Sequence, residues 1–272
     1  MTHANIPAPL NSFGENKNLF NQKTAVISIV GAGGKTSTLF WLAREFARIG
    51  KRVIATTTTQ MYLPEENIPV LFCRSPEKLP GAVFTPPAIA CFAGWNQELG
   101  KVRGFSPAEI DALAKRHLAD VLLLEADGAH GFPLKAPALH EPCIAQSSDF
   151  VIAVMGGQAI NQPIEPQNVH RWPLFSAITG LRQGGKLGIE ALKQFINHPH
   201  GMFKQAPPQA KRIWLINQCS HIENITGVLP ELLASSGLDA IWLGAVREFP
   251  PITHVLLRDE GAVTDKNLLR QS

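Results

Sequence analysis

Thr24-Ala25-Val26-Ile27-Ser28-Ile29-Val30-Gly31-Ala32-Gly33-Gly34-Lys35-Thr36-Ser37 decides the fold. Its first seven residues are short, apolar and β-branched, which suits a strand buried on both faces. From Ser37 onward the period changes. Leu39, Leu42, Phe46 and Ile49 recur at three- and four-residue steps, as on one helix face, and Gly50 can supply the left-handed residue that ends the helix. A second short strand is predicted over 52–55. Strand, tight loop, helix, strand is a βαβ unit with parallel strands.

Outward from that unit, strands are predicted at 70–73, 89–93, 121–124, 150–155, 212–216 and 240–243. Ser106-Pro107-Ala108-Glu109 is a capping box with Pro at the first helical position, so a helix starts there. Ile110, Leu113 and the His117-Leu118 pair are expected to face the sheet. Further helices are expected at 189–197 and 229–234. The expected fold class is therefore α/β, a mainly parallel sheet flanked by helices and P-loop NTPase-like. Residues 1–22 read as a solvated arm, without an apolar signal-peptide core or a basic leader. Residues 23–272 read as one nucleotide-binding domain with a loop-rich insertion around 156–209.

Composition narrows the function. Lys plus Arg number 25 against 22 acids, a formal charge of +3, and no basic block appears, so a nucleic-acid binder is not expected. No apolar run approaches the roughly 18–20 residues of a membrane span. The four cysteines, Cys73, Cys91, Cys143 and Cys219, are scattered with no Cys-x-x-Cys pair, which suits free thiols in a reducing cytoplasm.

The chemistry concentrates in two segments. The first is the glycine loop. Gly31, Ala32, Gly33 and Gly34 let backbone N–H groups approach phosphate oxygens, and the following helix adds its positive end. Lys35 can reach a terminal phosphate, Thr36 can place its hydroxyl on Mg²⁺, and Ser37 follows in the same turn. The full Walker pattern asks for a Gly where Ile29 stands, so the loop is shorter at its front edge. It resembles instead the loop of the Mur ligase group of ATP-binding proteins. The second strand ends in Thr56-Thr57-Thr58-Thr59. Of these, Thr57 and Thr58 are the candidates for contact with phosphate or substrate. The second segment is Leu122-Leu123-Leu124-Glu125-Ala126-Asp127-Gly128, in which an apolar strand runs into two carboxylates. Glu125 is assigned to Mg²⁺ and Asp127 to orienting water or a second substrate. His130, Lys135 and His140-Glu141-Pro142 follow, offering an acid/base and a phosphate clamp.

These segments, with Pro133-Leu134-Lys135-Ala136-Pro137 and Val169-His170-Arg171, together resemble the selenium-dependent hydroxylase accessory protein family, also called the YqeC family, over about residues 25–246. The resemblance implies a cytoplasmic P-loop protein linked to maturation of molybdenum-containing hydroxylases, with such a client enzyme or its pterin cofactor as partner. His170 and Arg171 could then close over an anionic ligand.

Asn217-Gln218-Cys219-Ser220 ends the strand at 212–216, where a guanine reader would carry Asn-Lys-x-Asp. Ser220 stands in place of the carboxylate, so Asn217 is left as the base contact, and ATP is expected over GTP unless Glu248 reads guanine from another side. The leading reading is a Mg²⁺-dependent ATPase or ATP-dependent transferase or ligase. Lys35, Glu125 and Asp127 are its catalytic residues, and Lys35 is expected to contact ligand rather than core. The alternative is a non-catalytic, nucleotide-gated module that delivers a cofactor or binds a client. A dinucleotide-binding oxidoreductase is disfavoured: the loop lacks the last Gly of Gly-x-Gly-x-x-Gly, and the second strand ends in Thr rather than an acid.

Overall fold

A computed structural model describes residues 8–11, 13, 23–63, 68–81, 87–128, 131–219, 227–258 and 263–267. At its centre lies β1 (Ala25–Gly31), buried along nearly its whole length. It hydrogen-bonds in parallel to β8 (Val121–Glu125) on one side and to β10 (Phe150–Gly156) on the other. Beyond β8 come β2 (Val53–Thr57), β5 (Ala88–Phe92) and β4 (Val70–Phe72), all parallel. Beyond β10 come β12 (Lys211–Asn217) and β13 (Ala240–Gly244), also parallel. Two antiparallel strands, β14 (Ile252–Arg258) and β15 (Val263–Asn267), close that edge of the ten-stranded sheet.

The helix after β1, α2 (Lys35–Arg48), follows the short α1 (Ala8–Asn11). Leu39, Leu42 and Phe46 of α2 are fully buried against Ile27, Ile29 and Leu123. Gly50, at φ +80°, ends it, with the Lys51 N–H donating to the Phe46 carbonyl across the left-handed residue. The unit is parallel as expected, but β1 and β2 are not neighbours, because β8 pairs between them. The capping box of α3 (Pro107–Ala114) is present in full: Ser106 accepts from the Glu109 N–H, and Glu109 accepts from the Ser106 N–H. Ile110 and Leu113 are buried. His117, by contrast, lies past the helix end at φ 52° and is exposed, so it does not face the sheet.

Within the segment read as a solvated arm, Leu10 and Phe13 are buried. The Phe13 ring meets Phe150 and Trp242 edge-on. The gain from burying an aromatic ring outweighs the polar composition around it. The 156–209 segment supplies β11 (Val169–His170), α4 (Trp172–Thr179) and α5 (Ile189–Asn197). Phe175, Leu192, Phe195 and Ile196 join a core with Trp214 and Ile241. α6 (Leu229–Ser235) packs there as well. Three three-residue strands, β3 (Gln60–Tyr62), β6 (Gly94–Asn96) and β7 (Lys101–Arg103), form a separate antiparallel sheet, and β9 (Leu134–Lys135) pairs with β11. Among the described residues no helix is long and apolar enough to cross a membrane.

Candidate functional site

Chain order locates the site. After β1 the chain builds β2, β4, β5 and β8 on one side, then β10, β12 and β13 on the other. The carboxyl end of β1 is therefore the topological switch point, where open α/β sheets form a crevice. The glycine loop occupies it.

The loop's shape depends on residues that lack a Cβ. Gly31 and Gly34 have φ of +94° and +115°. A Cβ at Gly31 would lie 2.3 Å from the Val154 carbonyl oxygen, and one at Gly34 would lie 2.4 Å from Asn217 Nδ2. The front half of the loop spends its donors on the protein. The Gly31 N–H donates to Asp127 Oδ2 (3.1 Å), the Ala32 N–H to the Val154 carbonyl (2.9 Å) and the Gly33 N–H to the Phe132 carbonyl (3.0 Å). The first bond of α2 runs from the Thr38 N–H to the Gly34 carbonyl. The N–H groups of Lys35, Thr36 and Ser37 thus have no intrahelical acceptor, as in any first helical turn. The end of the loop with N–H groups to spare is 35–37. Its front edge is braced.

Register brings the two carboxylates to this loop. Glu125 pairs with Ile29 and Thr57 in the neighbouring strands. Its carboxylate accepts from the Thr36 hydroxyl at 2.7 Å and lies 3.9 Å from Lys35 Nζ. Asp127 lies 3.2 Å from Lys35 Nζ and 2.9 Å from Lys135 Nζ. Lys35 is only 4% exposed and also donates to the Gly31 carbonyl at 2.8 Å. The expectation that this ammonium has no part in the core is corrected: in the free protein it is buried between two carboxylates.

The ion pairs continue inward. Lys135 reaches Glu141 at 2.7 Å and donates to the Gly128 carbonyl, and Glu141 also accepts from Arg171 at 2.7 Å. Arg171 donates to the Ala136 carbonyl as well (3.3 Å), and the His170 ring stacks on Phe132 at 5.6 Å. His170 and Arg171 therefore lie behind the glycine loop, and Arg171 is joined to it through Glu141, Lys135 and Asp127.

Charge states follow from these contacts. Burial pushes the Glu125 carboxyl up, and Lys35 and Thr36 pull it only part of the way back. Burial also acts on Glu141, but the hydrogen bonds and charges of Lys135 and Arg171 outweigh it and hold that carboxyl down at about 2. Among the described residues no group of three or more His, Cys, Asp or Glu gathers as a metal cluster. Thr36 and Glu125 supply two hard oxygen donors side by side. That fits Mg²⁺, which is usually held by one or two protein oxygens with phosphate and water completing the shell.

The remaining candidates serve as braces. Thr57 donates to the Glu125 carbonyl (2.7 Å) and Thr58 to the Cys143 carbonyl (2.6 Å). Asn217 donates to the Gly33 carbonyl (2.8 Å) and accepts from the Val246 N–H (3.0 Å). His130 and Ser220 lie outside the described residues. Two cavities adjoin the site. One, about 20 Å³, lies under the loop between Gly31, Asp127, Lys135 and Pro142 and has room for a single water. The other is an open cleft of about 610 Å³ lined by Pro107, Asp111, Cys143, Gln146 and Gln205. Sequence reading missed Arg247, whose Nε donates to the Ser37 hydroxyl at 2.9 Å. It stands 210 positions from the loop in a segment without a motif.

By fold the chain is an α/β protein of the P-loop NTPase-like class, with a mostly parallel sheet flanked by helices. The family model described as YqeC protein matches residues 27–173. A relative from Escherichia coli (strain K12), which bears the name "Uncharacterized protein YqeC", is 48% identical over 233 residues, 85% of this chain and 91% of its own. The chain belongs to the YqeC family. No solved structure matches it.

Proposed function

We propose that this YqeC-family chain is a Mg²⁺-dependent nucleotide-binding protein that cleaves or transfers the terminal phosphoryl group of ATP. The observation that carries the reading is the Thr36–Glu125 contact of 2.7 Å beside buried Lys35, at the carboxyl ends of adjacent strands. A carboxylate that burial pushes toward its neutral form gains from a cation, and the hydroxyl next to it can turn its oxygen outward. Mg²⁺ held by Thr36 and Glu125 would neutralise charge on the phosphates. The N–H groups of 35–37 would hold phosphate oxygens, and Lys35 would leave Asp127 to pair with the terminal phosphoryl. The cleft beside Cys143 gives a second substrate a place next to the strand end that carries Thr58. A client molybdenum hydroxylase, or its pterin cofactor, rests on the family resemblance alone.

Asp127 favours the gating alternative in one respect. It is held by the Gly31 N–H, Lys35 and Lys135, and so acts as a brace rather than a poised base. Phosphate release separates the two readings: steady turnover supports the enzyme, and tight binding without turnover supports the gated module. Calorimetry with ATP tests the site itself. Mg²⁺ is expected to strengthen binding to the wild type and to lose that effect in Thr36→Val. Equal Mg²⁺ dependence in both proteins overturns the assignment.

A further inference from the structure

We propose that the segment after β13, residues 245–251, forms the nucleoside side of this site, with Arg247 pairing the phosphate nearest the sugar and Phe249 stacking on the base. The inference rests on the nucleotide-binding reading above.

The direction of the phosphate chain follows from two adjacent residues. Thr36 and Ser37 lie about 100° apart around the helix. The Thr36 hydroxyl turns to Glu125 on β8, and the Ser37 hydroxyl accepts from Arg247, which follows β13 on the opposite side of β1. A triphosphate laid across this first turn has its metal-bound end at Glu125 and its sugar-linked end at Arg247.

Arg247 is oddly placed for a protein without a ligand. A guanidinium beside the positive end of a helix is unfavourable unless an anion lies between them. Among the described residues Arg247 forms no ion pair, and it is exposed. Its backbone is nevertheless anchored at the preceding residue, because the Asn217 carboxamide ties the Val246 N–H to the Gly33 carbonyl. The same two bonds turn the Asn217 carboxamide toward the backbone of the loop and of Val246. Two residues past Arg247, beyond a turn in which the Glu248 N–H donates to the Ala245 carbonyl, Phe249 is 97% exposed. Stacking on an aromatic face tolerates any base, so this placement also predicts weak discrimination between ATP and GTP.

Calorimetry with MgATP and with Mg²⁺-tripolyphosphate tests the proposal. Phe249→Ala is expected to weaken ATP about tenfold or more and to leave tripolyphosphate unchanged. Arg247→Ala is expected to weaken both ligands. Both side chains are exposed, so the unfolding temperatures of the ligand-free variants should match the wild type. The proposal is overturned if Phe249→Ala spares ATP or weakens both ligands equally, or if Arg247→Ala spares both. A wild type that binds neither ligand removes the phosphate site itself. A wild type that binds both, with variants that fail these patterns, removes only the nucleoside assignment.

Discussion

Lys35 has a structural job that the glycine-loop motif does not report. In the free protein it neutralises Asp127 and Glu125 in a setting where a lone carboxylate is costly. Removing one member of a buried pair leaves the other charge without compensation, at a cost of about 3–5 kcal/mol. Lys35→Ala is therefore expected to lower stability in a urea titration as well as abolish nucleotide binding. Adding Asp127→Asn should recover part of the lost stability and none of the binding. If Lys35→Ala unfolds at the wild-type urea concentration, the buried pairs contribute nothing. Glu125 behaves in the opposite sense. Its folded pKa lies above the 4.5 of an ordinary glutamate, so the folded state holds its proton more tightly than the unfolded state. Its contribution to stability is then fully present below pH 4.5 and is lost as pH rises through the raised folded value. Glu125→Gln removes that loss, and the ligand-free variant should be at least as stable as the wild type at pH 7 while losing Mg²⁺-dependent binding. A clear drop in its unfolding temperature counts against a cation site at this carboxylate.

Elements were legible in the sequence wherever one physical signal sufficed. β1, α2 and the capping box of α3 follow from hydrophobic period, a left-handed glycine and a cap. The Glu125 and Asp127 pair was legible because an apolar strand ends on it. What sequence did not show were elements too short to carry a period. The three-residue strands β3, β6 and β7 and the two-residue pair β9 and β11 have no alternation to read. β14 escaped for another reason: only the seven-residue connection after β13 dictates its antiparallel return, since a parallel one needs a longer crossover. The bracing roles of Thr57, Thr58 and Asn217 depend on partners distant in sequence, and no local pattern reveals them. β9 and β11 matter because they carry Lys135 and lead into Arg171, which enclose Glu141. That carboxyl is held at about 2, below its usual 4.5, so its stabilising contribution is present above pH 4.5 and is lost as pH falls toward 2. In Arg171→Ala the acid unfolding midpoint should move to higher pH, with little change near pH 7 in its slope against pH. Identical acid limbs for the two proteins remove Arg171 from the network.

At the scale of the whole molecule, one chain of charge crosses from the glycine loop into the 156–209 segment. Lys35, Lys135 and Arg171 alternate along it with Asp127 and Glu141, and Glu125 completes three cations and three carboxylates. The set is largely buried, so changing one partner alters the balance at the next. If Lys35 turns to a phosphate, Asp127 keeps only Lys135 as its cation, and Lys135 must shift weight from Glu141 toward Asp127. Glu141 then depends more heavily on Arg171, at the start of α4 in that segment. Asp127 also accepts from the Gly31 N–H, so the loop and that segment feel the same redistribution. Nucleotide binding is thus expected to change amide exchange not only at 31–37 but also at 133–137 and 169–175, more than 90 residues away in sequence. Hydrogen exchange with and without MgATP reads this directly, because local opening reports the stability of each segment separately. Glu141→Gln keeps the shape and removes the charge that links Lys135 to Arg171. It should preserve the change at 31–37 and abolish the change at 169–175. Protection confined to 31–37 in the wild type, or an unaltered distant response in Glu141→Gln, shows that the charged chain holds the fold together without transmitting the ligand's presence.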